Sequence, residues 1–398
     1  MELQSLRLKK NEERRLRAGH VWIYSNEIDI KSTPLKGFKA GDEVRVESYD
    51  KKPLGIAYVN PQSLISARLI SRNPNEHLTQ GLFAFRFKTA LTWRDQLYGK
   101  PYYRLIFGEG DNLPGLVIDR FGNHMVVQIN TAGMEAKKAE IIAAILATLP
   151  ETESILFRND SSARLQEGLD QYVEAGFGTP PERVLLEENE TIFSAPLWDG
   201  QKTGWFFDHR LNRSRLKDYV KGKRVLDVFS YLGGWGIQAA KFGASEVYCL
   251  DSSAAATNAI PENARLNQVE DKVHVICDDA FVGLKKLHQT SQKFDVIVLD
   301  PPAFIKKQKD MKEGTLAYQR INEAALKLLN PGGLLISCSC SMHMDEDAFV
   351  QTIRRASLHA ECDLQLIERG HQAPDHPVHF AIPETDYLKM IIARKMEK

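Results

Sequence analysis

The stretch from residue 222 onward constrains the fold most. Five apolar runs, RVLDVF, EVYCLD, KVHVICDD, FDVIVLD and LLISCSC, recur there between helical stretches. Continuous apolar strands alternating with helices predict a parallel sheet covered on both faces. Ligands of such sheets sit outside the carboxyl ends of the strands, so the last residues of each run are the functional candidates. Two later runs, CDLQLIE and YLKMIIARK, flank the loop RGHQAPDHPVHFAIPETD and are expected to add antiparallel edge strands.

The preceding sequence reads differently. Up to about residue 75, short alternating runs such as DEVRVESYD and PLGIAYV are punctuated by Gly37, Gly41, Pro53 and Pro61, the pattern of a small β-rich unit. Residues 76–195 open on a helix, LTQGLFAFRFKTALTWRDQLY. Apolar strands broken by the turn signals GEGDNLPG and RFGN follow, which is an α+β pattern. The expected domains are therefore 1–75, 76–195 and 196–398, a division suited to a chain of 398 residues.

Charge narrows the partners. Lys plus Arg and Asp plus Glu are 52 each, so a nucleic acid would have to be held by local patches. Residues 1–40 supply one, with nine Lys or Arg against five Asp or Glu. The N-terminus lacks the apolar core of a signal peptide and no apolar run reaches spanning length, so the expected setting is cytoplasmic, with no membrane partner. The five cysteines are odd in number and lack metal-ligand spacing, so reduced thiols and no metal are expected.

The strand ends carry the chemistry. Asp227 lies in the first strand, which runs into FSYLGGWG; Gly233, Gly234 and Gly236 permit a tight turn close to a ligand at a helix N-terminus. Asp251 closes the second strand, where a carboxylate can accept from both hydroxyls of a ribose. Asp279 follows the third strand, placed for an exocyclic amine with Phe281 against the ring, although a helix N-cap explains an acid there as well. Three acids around a glycine turn favour a nucleoside ligand, and no Walker-type lysine follows to suit a triphosphate.

These residues resemble the class I S-adenosylmethionine-dependent methyltransferases. The resemblance implies that Asp227, Phe229, Tyr231, Gly233 and Gly234 surround the methionine part, Asp251 and Ser252 the ribose, and Asp279 and Ala280 the adenine. One departure is Pro261, inside the next helical register. An interior proline costs about 3 kcal/mol, so that helix is expected to start late or bend.

The fourth strand ends in DPPAF. Its two prolines stiffen the backbone around Asp300, and Phe304 is available to stack on a planar group. Along the fifth strand, Cys338 and Cys340 point to one face, with Cys340 nearer the ligand edge and Cys338 read as packing. A thiolate adding to carbon 6 of a cytosine makes carbon 5 nucleophilic enough to take a methyl group. Cysteine both attacks and leaves well. Asp300 could hydrogen-bond the ring nitrogen 3 or the amino group of the same base. Beyond DPPAF, Lys306, Lys307, Lys309 and Lys312 are placed to meet phosphates.

Across nearly the whole chain the sequence resembles the ribosomal large-subunit (23S) RNA cytosine-C5 methyltransferases that carry an N-terminal PUA domain. The blocks that carry the likeness are LRLKKNEERRLRAGHVWIYSNEI with GDEVRVES, RLIFGEGDNLPGLVIDRFG, GQKTGWFFDHRLNR, FSYLGGWG, DPPAF, SCSCS and DHPVHFAIPETDYLK. The fold implied is α/β: a C-terminal Rossmann-like domain with a mostly parallel sheet, preceded by a PUA-like β-barrel and a small α+β domain. The implied cofactor is S-adenosyl-L-methionine and the implied partner ribosomal RNA; a homodimer is left open.

The same resemblance makes Cys340 the nucleophile and Asp300 its catalytic neighbour, with Asp300 also at the cofactor. It places Phe206, Asp208 and Arg210 at the cofactor, and Pro301, Pro302, Phe304, Lys306 and Lys307 at the substrate. His209 stands where that family usually has glutamine, and DPPAF lacks the second cysteine that related enzymes use for release. Two rival readings remain, with methylation of a small molecule a weaker third. D-P-P-x-F also resembles the element of amino-directed methyltransferases, and a non-catalytic ribosome-assembly factor would bind RNA without transferring a methyl group.

Overall fold

A computed structural model describes residues 3–397, so residues 1, 2 and 398, which close the outer expected domains, lie outside it. The chain forms two compact units. The first comprises the chain up to Val184 with Ala195–Phe207 and Pro374–Thr385, and the second comprises Leu185–Ser194, Asp208–Ala373 and the chain from Asp386. The hairpin Arg183–Glu188/Thr191–Pro196 carries the chain across that division and back.

In the first unit, the strands Gln4–Arg7, Trp22–Ile23, Glu43–Glu47, Pro53–Val59 and Ala67–Ser71 form a five-stranded sheet. Its alternating apolar positions, among them Leu6, Val44, Val46, Ala57 and Val59, converge with Leu16 and Ile382 on one buried core. A second sheet, running in chain order from Tyr102–Phe107 to Tyr172–Gly178, is covered by the helices Gln80–Leu97 and Lys138–Thr148. The Thr79 side chain caps the first of these helices by accepting from the Leu82 N–H.

The second unit contains the expected βα alternation. Its strands are β1 (Arg224–Val228), β2 (Glu246–Asp251), β3 (Val273–Cys277), β4 (Phe294–Leu299), β5 (Leu329–Ser339), β6 (Leu364–Gly370) and β7 (Lys389–Lys395). They lie in the order β3-β2-β1-β4-β5-β7-β6. All pairings from β3 to β5 are parallel, and β7 runs against both of its neighbours. The helices are α1 (Gly234–Lys241), α2 (Ala254–Leu266), α3 (Ala280–Gln289), α4 (Met311–Leu328) and α5 (Glu346–His359).

The central strands β1, β4 and β5 are mostly apolar because both faces are covered, whereas the edge strands β3 and β6 are largely exposed. Leu226, Leu250, Ile297 and Leu335 are fully buried in one core with Leu284, Ile321, Ala325 and Phe349 from the helices. Each such Leu, Ile or Phe contributes about 1.5–3 kcal/mol through burial. Pro261 does not delay its helix: α2 begins at Ala254, capped by the Ser253 hydroxyl, and continues through the proline.

Candidate active site

The carboxyl edge of β1 is shaped by unusual backbone. Phe229 and Tyr231 adopt φ values of 65° and 49°, and Gly233 one of 82°. Left-handed conformations cost non-glycine residues roughly 1–3 kcal/mol each and concentrate where ligands bind. The turn is held from below. Asp227 accepts the Gly236 N–H on Oδ2 at 2.8 Å, and Asp251 takes the Tyr231 N–H on Oδ2 and the Ser253 N–H on Oδ1, both at 2.9 Å. A Cβ on Gly236 would meet the Cys249 sulfur at 2.5 Å, so only glycine lets α1 approach β2 this closely.

Asp227 is fully buried, and burial raises its carboxyl to about 7, with the charges of Asp300 and Asp251 adding and the Gly236 N–H opposing. Its Oδ1 and the buried Ser230 hydroxyl have no hydrogen-bond partner within the protein. Buried polar atoms are rarely left so, and these two stand beside a strained turn where a polar ligand would satisfy them.

Asp300 occupies the adjoining edge at the end of β4. His209 Nε2 lies 3.1 Å from its Oδ1, and the Trp235 indole N–H donates to Oδ2 at 3.0 Å. Burial pushes this carboxyl up, but His209, Trp235 and Arg213 outweigh it and hold it below its ordinary value. It is thus an anion and acts as an acceptor. The Phe304 ring is half-buried, 4.8 Å from the Tyr318 ring and 6.3 Å from that of Phe229.

The two thiols of β5 separate in environment. Cys338 is fully buried, and burial, assisted by the Asp300 charge, drives its thiol well above the ordinary range. Cys340 is half-buried, with its sulfur 3.8 Å from the Pro301 carbonyl. The strand end and the proline loop are stitched together by Ser341, whose hydroxyl accepts the Ile305 N–H at 3.1 Å and bonds Tyr318 Oη at 2.9 Å. The buried Lys389 adds a cation there, donating to the Ser341 carbonyl at 2.8 Å.

The other expected site residues fall as follows. Asp208 is buried and accepts from the Tyr387 hydroxyl at 2.6 Å. Arg210, also buried, is paired with Glu188 at 3.7 Å. Phe206 belongs to the first unit, half-buried with the Lys202 ammonium 5.0 Å from its ring centre. Ser252 is exposed at the end of β2 and Ala280 is buried at the start of α3. Asp279 caps α3, its Oδ1 accepting from the Phe281 and Val282 N–H groups. Pro301 is buried, while Pro302, Lys306 and Lys307 are exposed on the loop after β4.

Sequence reasoning passed over Trp235, Ser341 and Lys389. Only Trp235 carried a signal: a buried indole needs an acceptor for its N–H, and Asp300 is an acid at the same sheet edge.

Residues 164–390 match the family model of S-adenosylmethionine-dependent methyltransferases, and residues 6–72 match a PUA-like domain. The chain belongs to the S-adenosylmethionine-dependent methyltransferases. Its relatives include "Ribosomal RNA large subunit methyltransferase I" of Shewanella frigidimarina, 37% identical with 98% of both chains covered. The protein of that name from Escherichia coli K12 is 36% identical, again over 98% of both. Among solved structures, a SAM-dependent methyltransferase from Streptococcus mutans superposes with a TM-score of 0.83 over 98% of this chain and all of its own, at 22% identity. A methyltransferase complexed with SAH gives a TM-score of 0.84 at 22% identity over the same shares.

The family's cofactor is S-adenosylmethionine, and the edge of β1 and β2 fits it. The orphaned Asp227 and Ser230 atoms offer polar partners, and each Asp251 oxygen keeps a lone pair beyond its backbone bond for a ribose hydroxyl. When bound, the cofactor supplies an electrophilic methyl group. Among the described residues, no helix is long and apolar enough to cross a membrane.

Proposed function

We propose that this methyltransferase acts on large-subunit ribosomal RNA, as the names of its relatives state for them, and transfers the methyl group to carbon 5 of a cytosine through a transient adduct with Cys340. The observation that carries the reading is the half-buried Cys340 sulfur at the carboxyl edge of the sheet, 3.8 Å from the carbonyl of the residue that follows Asp300.

The thiolate forms a bond from Sγ to carbon 6 as the ring's 5,6 π pair moves onto carbon 5. Carbon 5 takes the methyl group, and the methyl–sulfur bond of the donor breaks with its electrons staying on sulfur. Loss of the carbon 5 proton to a base, with expulsion of Sγ from carbon 6, restores the double bond and frees the enzyme. Asp300, kept ionised by His209 and Trp235, accepts from the 4-amino group and so holds the ring. Phe304 adds an aromatic face, and Lys306 and Lys307 meet phosphates on either side.

Cys340→Ala tests the reading. With S-adenosylmethionine carrying a labelled methyl group and ribosomal RNA from cells lacking the protein, the variant should transfer no label while binding the cofactor as the parent does. Nucleoside mass spectrometry of the parent reaction should find 5-methylcytidine. A Cys340→Ala enzyme that keeps its rate, or label on an exocyclic amine, would replace this chemistry with amino-directed transfer.

A further inference from the structure

The segment Pro374–Thr385 belongs to the first unit and is anchored at both ends. At one end Asp375 is fully buried; its Oδ2 accepts the Arg104 N–H and its carbonyl accepts from Arg94 Nη2, both at 3.0 Å. The buried His376 ring lies 5.0 Å from that of Phe107. At the other end Ile382 is fully buried in the core of the N-terminal sheet beside Leu8 and Leu16. Side-chain bonds to the backbone close the turn. Thr385 Oγ1 accepts the His379 N–H at 2.9 Å and donates to the Ile382 carbonyl at 2.7 Å, while the Ala381 N–H donates to His379 Nδ1 at 3.2 Å.

This tightly held turn points Phe380 straight into solvent. The ring is 107% exposed, more than any other large apolar side chain among the described residues. A floppy loop could fold such a ring back onto the surface, whereas this turn holds it out.

Exposed arginines lie on the neighbouring segment, alongside the half-buried Glu384 of the turn itself. The methyl group of Ala381 lies 3.5 Å from where a Cβ on Gly19 would be, and Gly19 follows the helix Glu13–Arg17 with Arg14 and Arg17 exposed. Arg72, also exposed, is fixed by bonds from Nη1 to the Leu16 carbonyl at 2.6 Å and from Nη2 to the His20 carbonyl at 3.3 Å. Arg15 is already paired with Glu27, and Glu109 with the Trp22 indole N–H. In this turn the exposed large apolar side chains are Phe380 and the partly exposed Val378, too little area for a protein interface. A rigid ring beside arginines has the make-up of a single-stranded nucleic-acid surface, where bases stack and cations meet phosphates.

We propose that Phe380 is a stacking platform for an unpaired nucleobase and that Arg14, Arg17 and Arg72 hold the flanking phosphates, so that a turn from the far end of the chain completes the RNA-binding surface of the PUA-like domain. This rests on the reading that the substrate is RNA. Binding is measured without turnover, so failure of the Cys340 chemistry would leave it standing.

The experiment uses the full-length protein and a labelled single-stranded RNA of about ten nucleotides, a length within the usual span of such surfaces. Phe380→Ala should weaken binding about tenfold and leave the salt dependence unchanged, because stacking releases no counterions. Phe380→Trp should bind as tightly as the parent and show quenched indole emission on binding. Arg17→Ala should reduce the slope of log affinity against log salt by about 0.7. Because the ring touches solvent alone, Phe380→Ala should unfold at the parent's temperature. Unaltered affinity in Phe380→Ala, or an equal loss with a fully paired duplex, would overturn the proposal.

Discussion

Asp227 shows how one side chain can be both a support and a liability. Its Oδ2 holds the Gly236 N–H that sets the glycine turn, yet it is sealed from water with Oδ1 unmatched, and its carboxyl rises to about 7. The sign of its effect on stability follows. Below the ordinary carboxylate range both the native and unfolded forms are protonated. Between that range and about 7 the native form alone keeps the proton, so stability is lost as pH rises through this window. Melting temperature of the cofactor-free protein should therefore fall between about pH 4 and about pH 7. Asp227→Asn keeps an acceptor for Gly236 and should remove that part of the fall, as thermal scans across the range would show. An unchanged pH profile in the variant would mean that the carboxylate is ionised in the folded protein. Asp300, also at the sheet edge, goes the other way, because His209 and Trp235 outweigh burial. Partner geometry rather than residue type separates the two acids.

At the scale of elements, α2 raises the clearest question. Pro261 is its eighth residue and is exposed, and the helix passes through it although proline has no N–H for the Thr257 carbonyl. Capping by Ser253 at one end holds the helix, as do the bond that Asn263 donates to the Leu232 carbonyl and the one its Oδ1 accepts from the Ser194 N–H. Sequence propensity foresaw a delayed or bent helix; tertiary bonds on its inner face outweigh the local cost. Pro261→Ala should restore the missing bond and stabilise the second unit by about 2 kcal/mol, the interior-helix penalty less the entropy that proline removes from the unfolded chain. Chemical denaturation would measure it. A destabilised variant would show that the pyrrolidine ring contributes packing that the helix needs.

Across the whole molecule, each unit has its own buried core, so heating should resolve events belonging to each. S-adenosylmethionine should raise the transition of the second unit alone, by about 2.7 kcal/mol at a hundred times its dissociation constant. The chain's tryptophans allow the assignment, because Trp235 is the one within the second unit and Trp22, Trp93, Trp198 and Trp205 lie in the first. Replacing Trp235 by Phe would isolate the signal of the first unit, which the cofactor should leave in place. A cofactor-induced shift in that signal would show that the two units unfold together.

Local pattern and spacing were enough to establish the parallel sheet, the acids at its strand ends, the glycine turn and the position of Cys340 after β5, because each depends on residues within one βα repeat. Motif order along the chain was enough for the family. The hydrogen bonds from His209 and Trp235 to Asp300, the pairing of Arg210 with Glu188 and the bond from Lys389 to the Ser341 carbonyl were decided only by tertiary structure. So was the membership of Pro374–Thr385 in the first unit. Those partners lie from 22 to 91 positions apart, or further for the returning segment, and nothing in short-range periodicity encodes which distant side chains meet once the apolar faces are buried.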